Sequence, residues 1–444
     1  MINTPDIISL LCCRRKLHSR DEVCPVRIQT LLNKVHPLKS FVYATCRLEE
    51  RKDRSVLVAT IKPRKNGKVI CSGCAKPRRL YDHRGERRFD FVPLWNIPVY
   101  FEYHMRRVDC PKCGVKIEWV PWADGKSQTT KSFQLFLAQW ARKLSWKETA
   151  TSFGSSWDTV YRSVKVVVDF GLAHRNLDGI AAIGVDEVQH GKGHKYITVV
   201  YQLDAGVRRL IYVGKSRTTK TLLRFFFEFG KERTAALKFI CSDMWKPYLK
   251  VIAKKAPQAL NILDRFHIVS HLTKAVNQVR IDEVKRLKDE GYDEAVLRHT
   301  KYCFLKNPEN LTPKQEAKLD DVLSYDLKSV RAYLLKESFQ LFWNYDSPYW
   351  AEWYLEKWCK RAMYSRLEPI KKFVKTIRSH QPLIMNWFKA KKAYSSGIVE
   401  GMNRNVNLVT RKAFGFRSYE VLKIALFHTM GGLPEPESTH RFCG

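Results

Sequence analysis

Two aspartates stand at short apolar runs near the middle of the chain. Asp186 lies within Ile183-Gly-Val-Asp-Glu-Val-Gln189, and Asp243 directly follows Leu237-Lys-Phe-Ile-Cys-Ser242. If the two runs form parallel neighbouring strands, the carboxylates lie side by side, and at about 4 Å and an effective dielectric of about 20 their repulsion is roughly 4 kcal/mol. A cation relieves that repulsion. Oxygen ligands on a rigid sheet suit Mg²⁺, so the pair predicts a metal site for phosphoryl transfer.

The surrounding pattern predicts the sheet that positions these aspartates. Two β-rich runs, Tyr196–Leu203 and Arg208–Gly214, follow the first aspartate and are joined by a turn, which predicts three consecutive antiparallel strands. A helical pattern over Thr219–Gly230 separates them from the strand that ends at the second aspartate. A fifth strand is predicted at Leu260–Leu263. The order favours an α/β domain with a mixed sheet.

A third acid stands on a helix predicted near the end of the chain. From Ser396 onward two stripes recur at helical spacing. The apolar stripe, which can pack on the sheet, contains Val399, Met402, Val406, Val409 and Ala413. The polar stripe contains Glu400, Asn403, Arg404, Asn407 and Arg411. This helix aims Glu400 towards the two aspartates and leaves Arg404 one turn later to meet phosphate. A solvent-exposed face of salt bridges is the alternative.

Strand placement alone does not single out three acids among the 44 in the chain. Glu187, Asp204 and Asp264 are rivals for a place in the site. His267 is interpreted either as a neighbour of the metals or as a packed structural histidine. Trp245, beside the second aspartate, is interpreted as a core residue rather than as a platform for an unpaired base.

Four cysteines have the spacing of a zinc site. Cys71-Ser-Gly-Cys74 and Cys110-Pro-Lys-Cys113 offer four thiolates for a tetrahedral ion. The 35 residues between the pairs exceed the usual spacing, but strands at Phe89–Val92 and Val99–Val108 can fill the gap as a hairpin. A reduced redox pair or buried structural cysteines are the alternatives. Two histidines could replace a cysteine ligand: His83 and His104.

Three helices are predicted after the cysteines. Apolar spacing predicts the first over Phe133–Leu144 and the second over Trp146–Phe153, and Gly154 supplies a turn. Ser155-Ser-Trp-Asp158, with an acid three residues after a serine, predicts the start of the third. Helix, glycine turn and helix is the order of a helix-turn-helix, although any three short helices give the same pattern. The residues then expected to face DNA are Trp157, Thr159, Tyr161, Arg162 and Lys165.

The overall charge points to a polyanionic partner. Lys and Arg number 79 against 44 acids, a formal net charge of +35, which favours DNA or RNA. Within Lys62–Val92 ten basic residues outnumber three acids, which indicates phosphate contacts or else a solvated basic loop. The chain lacks an apolar run of about 18 residues and the order of a signal peptide, so we expect a cytoplasmic protein.

Taken together, these features resemble the ISL-three family of bacterial insertion-sequence transposases. The resemblance covers roughly residues 31–430 in the family's order. The matching stretches are Cys71/Cys74 with Cys110/Cys113, the helix-turn-helix Leu144–Leu172, Ile183–Val188, Ser242–Tyr248, Asp264–His267, Ser396–Asn403 and Phe414–Arg417. It implies an RNase H-like fold with a triad of Asp186, Asp243 and Glu400, whose last two members are separated by an inserted helical domain.

The fold class implied is multidomain α/β: an RNase H-like mixed sheet with an all-helical insertion, preceded by a zinc-ribbon module and a helix-turn-helix. The predicted segments are 1–30, an unassigned N-terminal extension; 31–128, the zinc-ribbon module; 129–175, the helix-turn-helix domain; 176–265, the first part of the catalytic core; 266–395, the helical insertion; 396–430, the final core helix with the glutamate; and 431–444, a C-terminal tail.

The resemblance implies a DNA transposase that binds the terminal inverted repeats of an insertion sequence and catalyses strand cleavage and strand transfer. Two Mg²⁺ ions, or Mn²⁺ in their place, are expected at the triad and a structural Zn²⁺ at the cysteines. Arg404 and Arg411 join the candidate DNA contacts. The expected partners are double-stranded terminal and target DNA and further copies of the chain in a dimer or larger assembly. We expect no membrane, no small-molecule substrate and a location at the bacterial nucleoid.

Two other functional classes are compatible with these residues. The first is a DNA-binding regulator derived from a transposase that has lost catalysis. The second is a structure-specific nuclease of the same fold that hydrolyses DNA without joining strands. Intact acids at all three positions argue against the regulator.

Overall fold

The computed structural model describes residues 27–51, 54–191, 193, 195–292, 294–392, 396–413, 415–416 and 418–437. Most of the predicted N-terminal extension, and Phe414 and Arg417 of the last family-like motif, lie outside the described residues. The chain divides into two compact units. The first contains the described residues up to Phe136 with Ser152–Gly154 and Glu437, and the second contains Leu137–Thr151 and Ser155–Pro436. This division is coarser than the predicted segments, whose boundaries remain predictions.

The first unit is built on a mixed five-stranded sheet. Its strands are β1 (Phe41–Arg51), β2 (Arg54–Pro63), β3 (Arg79–Leu94), β4 (Ile97–Asp109) and β5 (Lys116–Ile117), after helix α1 (Ile28–Val35). The order is β1-β2-β4-β3, with β5 paired to β4, and β2 and β4 are parallel. Alternate apolar side chains form one buried face that includes Tyr43, Phe89 and Phe101. The predicted hairpin between the cysteine pairs is confirmed, and its strands are longer than predicted.

The second unit contains the sheet that carries both aspartates. Its strands are β6 (Ala182–Gly191), β7 (Lys195–Gln202), β8 (Arg209–Gly214), β9 (Phe239–Ser242) and β10 (Leu260–Leu263). The order is β10-β9-β6-β7-β8, with β6, β7 and β8 antiparallel and β9 and β10 parallel to β6. The five predicted strands are therefore confirmed. The predicted side-by-side placement of the two aspartate strands is also confirmed.

Three helices connect these strands, and two of them bury apolar faces on the sheet. Numbered in chain order, they are α5 (Thr219–Phe229), α6 (Lys231–Ala236) and α7 (Lys246–Lys255). Leu222, Phe225 and Phe226 from α5 and Tyr248 and Ile252 from α7 are buried with strand residues in one cluster. Burial of each large apolar side chain contributes about 1.5–3 kcal/mol, so this cluster holds the strands in register.

The three helices before the sheet are α2 (Lys131–Lys143), α3 (Trp146–Ser152) and α4 (Trp157–His174). The N-cap of α4 is Ser156, whose Oγ accepts from the Thr159 N–H at 3.1 Å, and not Ser155 as the acid spacing predicted. The helix runs to His174, two residues past the end of the family-like stretch Leu144–Leu172. Gly171 lies inside it and leaves room for Leu433, whose Cβ is 2.6 Å from where a Cβ of residue 171 would be.

The segment between Arg265 and Lys392 is helical, as predicted, and its described residues contain no strand. Its α-helices are α8 (Arg265–Asp289), α9 (Lys301–Leu305), α10 (Pro313–Leu323), α11 (Lys328–Gln340), α12 (Pro348–Met363) and α13 (Glu368–Lys389). Trp343, Trp358 and Trp387 are buried, whereas Trp350 and Trp353 are exposed. Two helices follow, α14 (Ser396–Lys412) and α15 (Tyr419–Met430). No helix in the described part of the chain is both long and apolar enough to span a membrane.

Candidate active site and cysteine cluster

The four predicted cysteines converge at one end of the first unit. The Sγ atoms of Cys71, Cys74, Cys110 and Cys113 all lie within 4.8 Å of one another. Each pair sits in a tight turn, closed by hydrogen bonds from Ala75 N to the Cys71 carbonyl at 2.9 Å and from Gly114 N to the Cys110 carbonyl at 2.8 Å. Among the described residues, no other group of three or more His, Cys, Asp or Glu side chains is so tightly gathered.

The electrostatics of the cluster favour thiolate. Burial opposes ionisation of Cys110, but backbone N–H groups of Cys113 and Lys112 outweigh it and lower the pKa of this thiol to about 6. Burial and the neighbouring sulfurs raise the pKa of Cys113 to about 11, because a second negative charge so close is costly. A cation removes that cost. Four sulfur donors suit tetrahedral Zn²⁺, so the cluster is compatible with a zinc site and needs no histidine ligand.

Four acids of the second unit line one cavity of about 370 Å³. Asp186, Asp243, Asp264 and Glu400 all line it. Parallel pairing aligns Val185 with Ser242, so the next residue along each strand is an aspartate. The ligand atoms of these acids are not all within 4.8 Å of one another, which distinguishes this cavity from the cysteine cluster.

Asp186 is buried, with 7% of its surface exposed, and burial raises the pKa of its carboxyl above the ordinary value. Two hydrogen-bond donors offset part of the cost of burying the ionised carboxylate. The Glu187 N–H donates to Oδ1 at 2.7 Å, and the Asn403 amide donates to Oδ2 at 2.5 Å. Each carboxylate oxygen keeps a lone pair beyond these bonds. The donor set therefore fits a hard divalent cation.

Asp243 lies in the turn after β9, where its Oδ1 accepts from the Met244 N–H at 2.5 Å. The same oxygen is 3.6 Å from His267 Nδ1, and His267 Nε2 is 3.8 Å from Asp264 Oδ2. The imidazole thus lies between two carboxylates at the ends of neighbouring strands. Of the two interpretations of His267, the one that places it near the acids of the cavity agrees with the structure.

Glu400 reaches the cavity from α14. The predicted apolar stripe holds this helix in place through Val399, Met402 and Val406, which are buried. The Glu400 carboxylate accepts a hydrogen bond from Arg404 Nη2 at 2.7 Å. The two residues are one helical turn apart and form an ion pair. Both interpretations of the polar stripe therefore hold in part, since Glu400 lines the cavity and is also salt-bridged.

The rival acids have other partners. Asp204 accepts from the Ala181 N–H and from the Gln202 amide, which stabilises the turn after β7. Glu187 Oε1 lies 3.0 Å from Arg217 Nε, but the atoms are not aligned as a hydrogen bond, so the contact is an ion pair. Burial raises the pKa of Glu187 to about 7. Asp264 lines the cavity and also caps α8 by accepting from the Phe266 N–H at 2.7 Å.

Comparison with known proteins identifies the family. A family model described as a transposase matches residues 183–426, which is more than half of the chain. The chain belongs to the ISL3 family of transposases. It is therefore a DDE-type transposase of an insertion sequence, as the sequence resemblance implied.

Two curated relatives of this transposase cover most of its length. The transposase for insertion sequence element IS1001 of Bordetella parapertussis is 24% identical over 354 residues, which are 79% of this chain and 86% of the relative. The transposase for insertion sequence element IS1557 of Mycobacterium tuberculosis (strain H37Rv) is 28% identical over 403 residues, which are 86% of this chain and 90% of the relative.

The candidate DNA contacts of the transposase lie mainly on exposed helical surface. Trp157 stacks on Tyr161 with ring centroids 5.6 Å apart, and the Thr159 hydroxyl is engaged with the N-cap serine. Arg162 and Lys165 form ion pairs with Asp158 and Asp169, each at 2.5 Å. Arg162 and Lys165 must leave these acidic partners before they can bind a DNA phosphate. Arg404 and Arg411 are exposed on α14.

Sequence reasoning did not assign two residues that support the cavity of the transposase. Asn403 donates to Asp186 and accepts from the buried Tyr201 hydroxyl at 2.8 Å. The spacing of Asn403, three residues after Glu400 on one helix face, was a usable signal. Tyr201 carried no such signal, because an inward tyrosine on a strand resembles any other core aromatic residue.

Proposed function

We propose that the transposase binds the terminal inverted repeats of its insertion sequence and catalyses metal-dependent DNA cleavage and strand transfer, with Asp186, Asp243 and Glu400 as the catalytic acids. The observation that carries this proposal is that a strand, a strand end and a distant helix each contribute one of these acids to one cavity. Each of the three acids lies in a family-like motif: Asp186 in Ile183–Val188, Asp243 in Ser242–Tyr248 and Glu400 in Ser396–Asn403.

The sheet supports an RNase H-like core. Three consecutive antiparallel strands are followed by two parallel strands on the other side of β6, in the order β10-β9-β6-β7-β8. The helical segment after β10 separates this sheet from the glutamate helix α14. We infer that residues 266–395 are an insertion into that core.

Two divalent ions, Mg²⁺ or Mn²⁺, would lower the pKa of an attacking water or 3′-hydroxyl and stabilise the leaving 3′-oxygen when bound at the triad. Asp186 and Asp243 are the residues that would hold both ions, and Glu400 would complete one site. A metal ion there would compete with Arg404 for the Glu400 carboxylate, whose Oε1 accepts from Arg404 Nη2, and would exchange for this ion pair. That exchange frees the Arg404 guanidinium for a DNA phosphate, which it can bind through two parallel hydrogen bonds.

Recognition of the DNA ends belongs, in this proposal, to the helix-turn-helix of α2–α4, with Zn²⁺ as a structural ion in the cysteine module. Support comes from the exposed Trp157, Arg162 and Lys165 on α4 and from the net charge of +35. Joining two transposon ends requires two sets of contacts, so we infer that a dimer or larger assembly acts on paired ends.

The test is a cleavage and strand-transfer assay on DNA carrying the terminal repeats, with Mg²⁺ and then Mn²⁺. Alanine at Asp186, Asp243 or Glu400 should reduce cleavage at least about a thousandfold, because several kcal/mol of transition-state stabilisation is lost. Binding to the ends should persist. Glu309→Ala, an exposed acid outside the cavity, is the matched control.

Three results would contradict the proposal. Cleavage retained by one of the three alanine variants removes that residue from the triad. End binding without cleavage by the wild-type chain favours a catalytically inactive regulator. Cleavage without joining favours a nuclease of the same fold.

A further inference from the structure

A hydrogen-bonded relay connects the sheet, the glutamate helix and the first aspartate. The Tyr201 hydroxyl on β7 donates to Asn403 Oδ1 at 2.8 Å, and Asn403 Nδ2 donates to Asp186 Oδ2 at 2.5 Å. Tyr201 is fully buried and Asp186 nearly so. In the ionised form that would hold a metal, the Asp186 carboxylate can only accept, so the amide group of Asn403 presents its nitrogen to Asp186 and its oxygen to Tyr201. The relay therefore has one orientation.

The same helix contacts the same strand at a second point. Gly184 and Asp186 lie on one face of β6, because strand side chains alternate. A Cβ at Gly184 would lie 2.8 Å from Val399 Cγ2, so the helix approaches the strand as closely as a glycine allows. Val399 and Asn403 are four residues apart and share one face of α14. Glu400 is carried on the helix between these two contacts.

We propose that Asn403 is a positioning residue for the transposition reaction. Anchored by Tyr201, it fixes the Asp186 carboxylate in the orientation that receives a divalent ion and sets the position of the helix that delivers Glu400. The inference rests on the proposed catalytic role of Asp186. Asn403 acts through the carboxylate and does not touch the reacting atoms.

Asparagine suits this task chemically. It donates to Asp186 without carrying a positive charge that would compete with the metal, and it accepts from Tyr201 at the same time. Outer-shell partners of this kind typically change metal affinity or activity by about 10-fold to 100-fold when removed. We expect Asn403→Ala to fall in that range and Tyr201→Phe, which removes only the anchor, to have a smaller effect in the same direction.

The experiment measures Mn²⁺ binding to the DNA-free full-length chain by calorimetry, together with end cleavage at saturating Mn²⁺. The variants are Asn403→Ala, Tyr201→Phe and the double variant. Asn407→Ala, an exposed asparagine one turn further along α14, is the matched control. Asn403→Ala should weaken Mn²⁺ binding and lower kcat while KM for the DNA end stays near the wild-type value, and Asn407→Ala should change neither.

The double variant tests the relay itself. If Tyr201 acts through Asn403, adding Tyr201→Phe to Asn403→Ala should cause no further loss of Mn²⁺ affinity. Additive losses would overturn the relay, and wild-type Mn²⁺ affinity in Asn403→Ala would overturn the positioning role. If Asn403→Ala does not fold, Tyr201→Phe alone still decides, because unchanged affinity in that variant contradicts the anchor.

Asp186→Ala in the same assays separates this inference from the proposed function. If it loses Mn²⁺ binding and cleavage while Asn403→Ala keeps both, only the role of Asn403 is wrong. If Asp186→Ala keeps both, the assignment of the triad fails, and the role of Asn403 fails with it.

Discussion

The cysteine cluster and the acidic cavity are assembled in different ways. Each cysteine pair is made by one tight turn, and the four sulfurs lie within 4.8 Å of one another. The acids come from β6, from the ends of β9 and β10 and from α14, and they line a cavity of about 370 Å³ without gathering so closely. Glu400 is also held by Arg404 at 2.7 Å.

The two arrangements differ because the two proposed sites must leave different numbers of ligand positions open. Four sulfur ligands complete a tetrahedron, so a structural zinc site has no vacant position and local turns are enough to make it. The proposed catalytic site must leave ligand positions for a DNA phosphate, so its acids can be spread around an opening. The first site depends on short-range backbone structure, and the second depends on how a distant helix packs against a sheet.

The largest expected effect comes from removing one cysteine of the four-cysteine cluster. Cys110→Ser removes one of the four proposed zinc ligands, and structural zinc contributes on the order of 10–16 kcal/mol in small zinc modules. We expect zinc content, measured by atomic absorption on the purified chain, to fall to background, and the cysteine turns to become sensitive to limited proteolysis. Cys46→Ser, in β1 of the same unit, is the control. Stoichiometric zinc in Cys110→Ser would contradict the role of Cys110 as a required zinc ligand.

An intermediate effect is expected where the acids of the second unit are crowded. Burial raises the pKa of Glu187 from 4.5 to about 7; the Arg217 charge opposes this shift, and the charges of Asp186 and Asp243 add to it. The folded chain therefore binds more protons than the unfolded chain between pH 4.5 and about 7. The contribution of this group to stability is complete below pH 4.5 and is lost as pH rises through about 7. The loss amounts to about 3 kcal/mol.

Glu187→Gln should remove this part of the pH dependence. The difference in unfolding free energy between the wild type and the variant, measured by denaturant titration without metal, should change by about 3 kcal/mol across that interval. Glu309→Gln should follow the wild-type curve. A wild-type curve parallel to that of Glu187→Gln would mean that Glu187 ionises normally in the folded chain.

The smallest expected effect concerns the ion pair on α14. An exposed pair of this kind contributes about 0.2–1 kcal/mol, so removing Arg404 should tighten Mn²⁺ binding to the DNA-free chain by at most about fivefold. DNA affinity of Arg404→Ala should fall at the same time. Arg411→Ala, further along the same helix, should weaken DNA binding without this gain in Mn²⁺ affinity. Unchanged or weaker Mn²⁺ binding in Arg404→Ala would show that the pair does not restrain Glu400.

The sequence was most informative where one short segment determines structure by itself. Strand periodicity placed all five strands of the second sheet, and paired C-x-x-C spacing predicted the cysteine cluster. Ser156 replaced Ser155 as N-cap, because the cap depends on which hydroxyl reaches the Thr159 N–H and not on the position of the acid. The Asn403 relay depends on Tyr201, 202 positions away, and the local pattern of neither residue reveals the other.

The close contact between Gly184 and Val399 limits which residues the gene can encode at position 184. Any side chain at this position would meet the stiff β-branched side chain of Val399 on the glutamate helix, so the strand or the helix must shift. A change at the Gly184 codon can therefore disturb the placement of Glu400 while the codons for Asp186, Asp243 and Glu400 are unchanged.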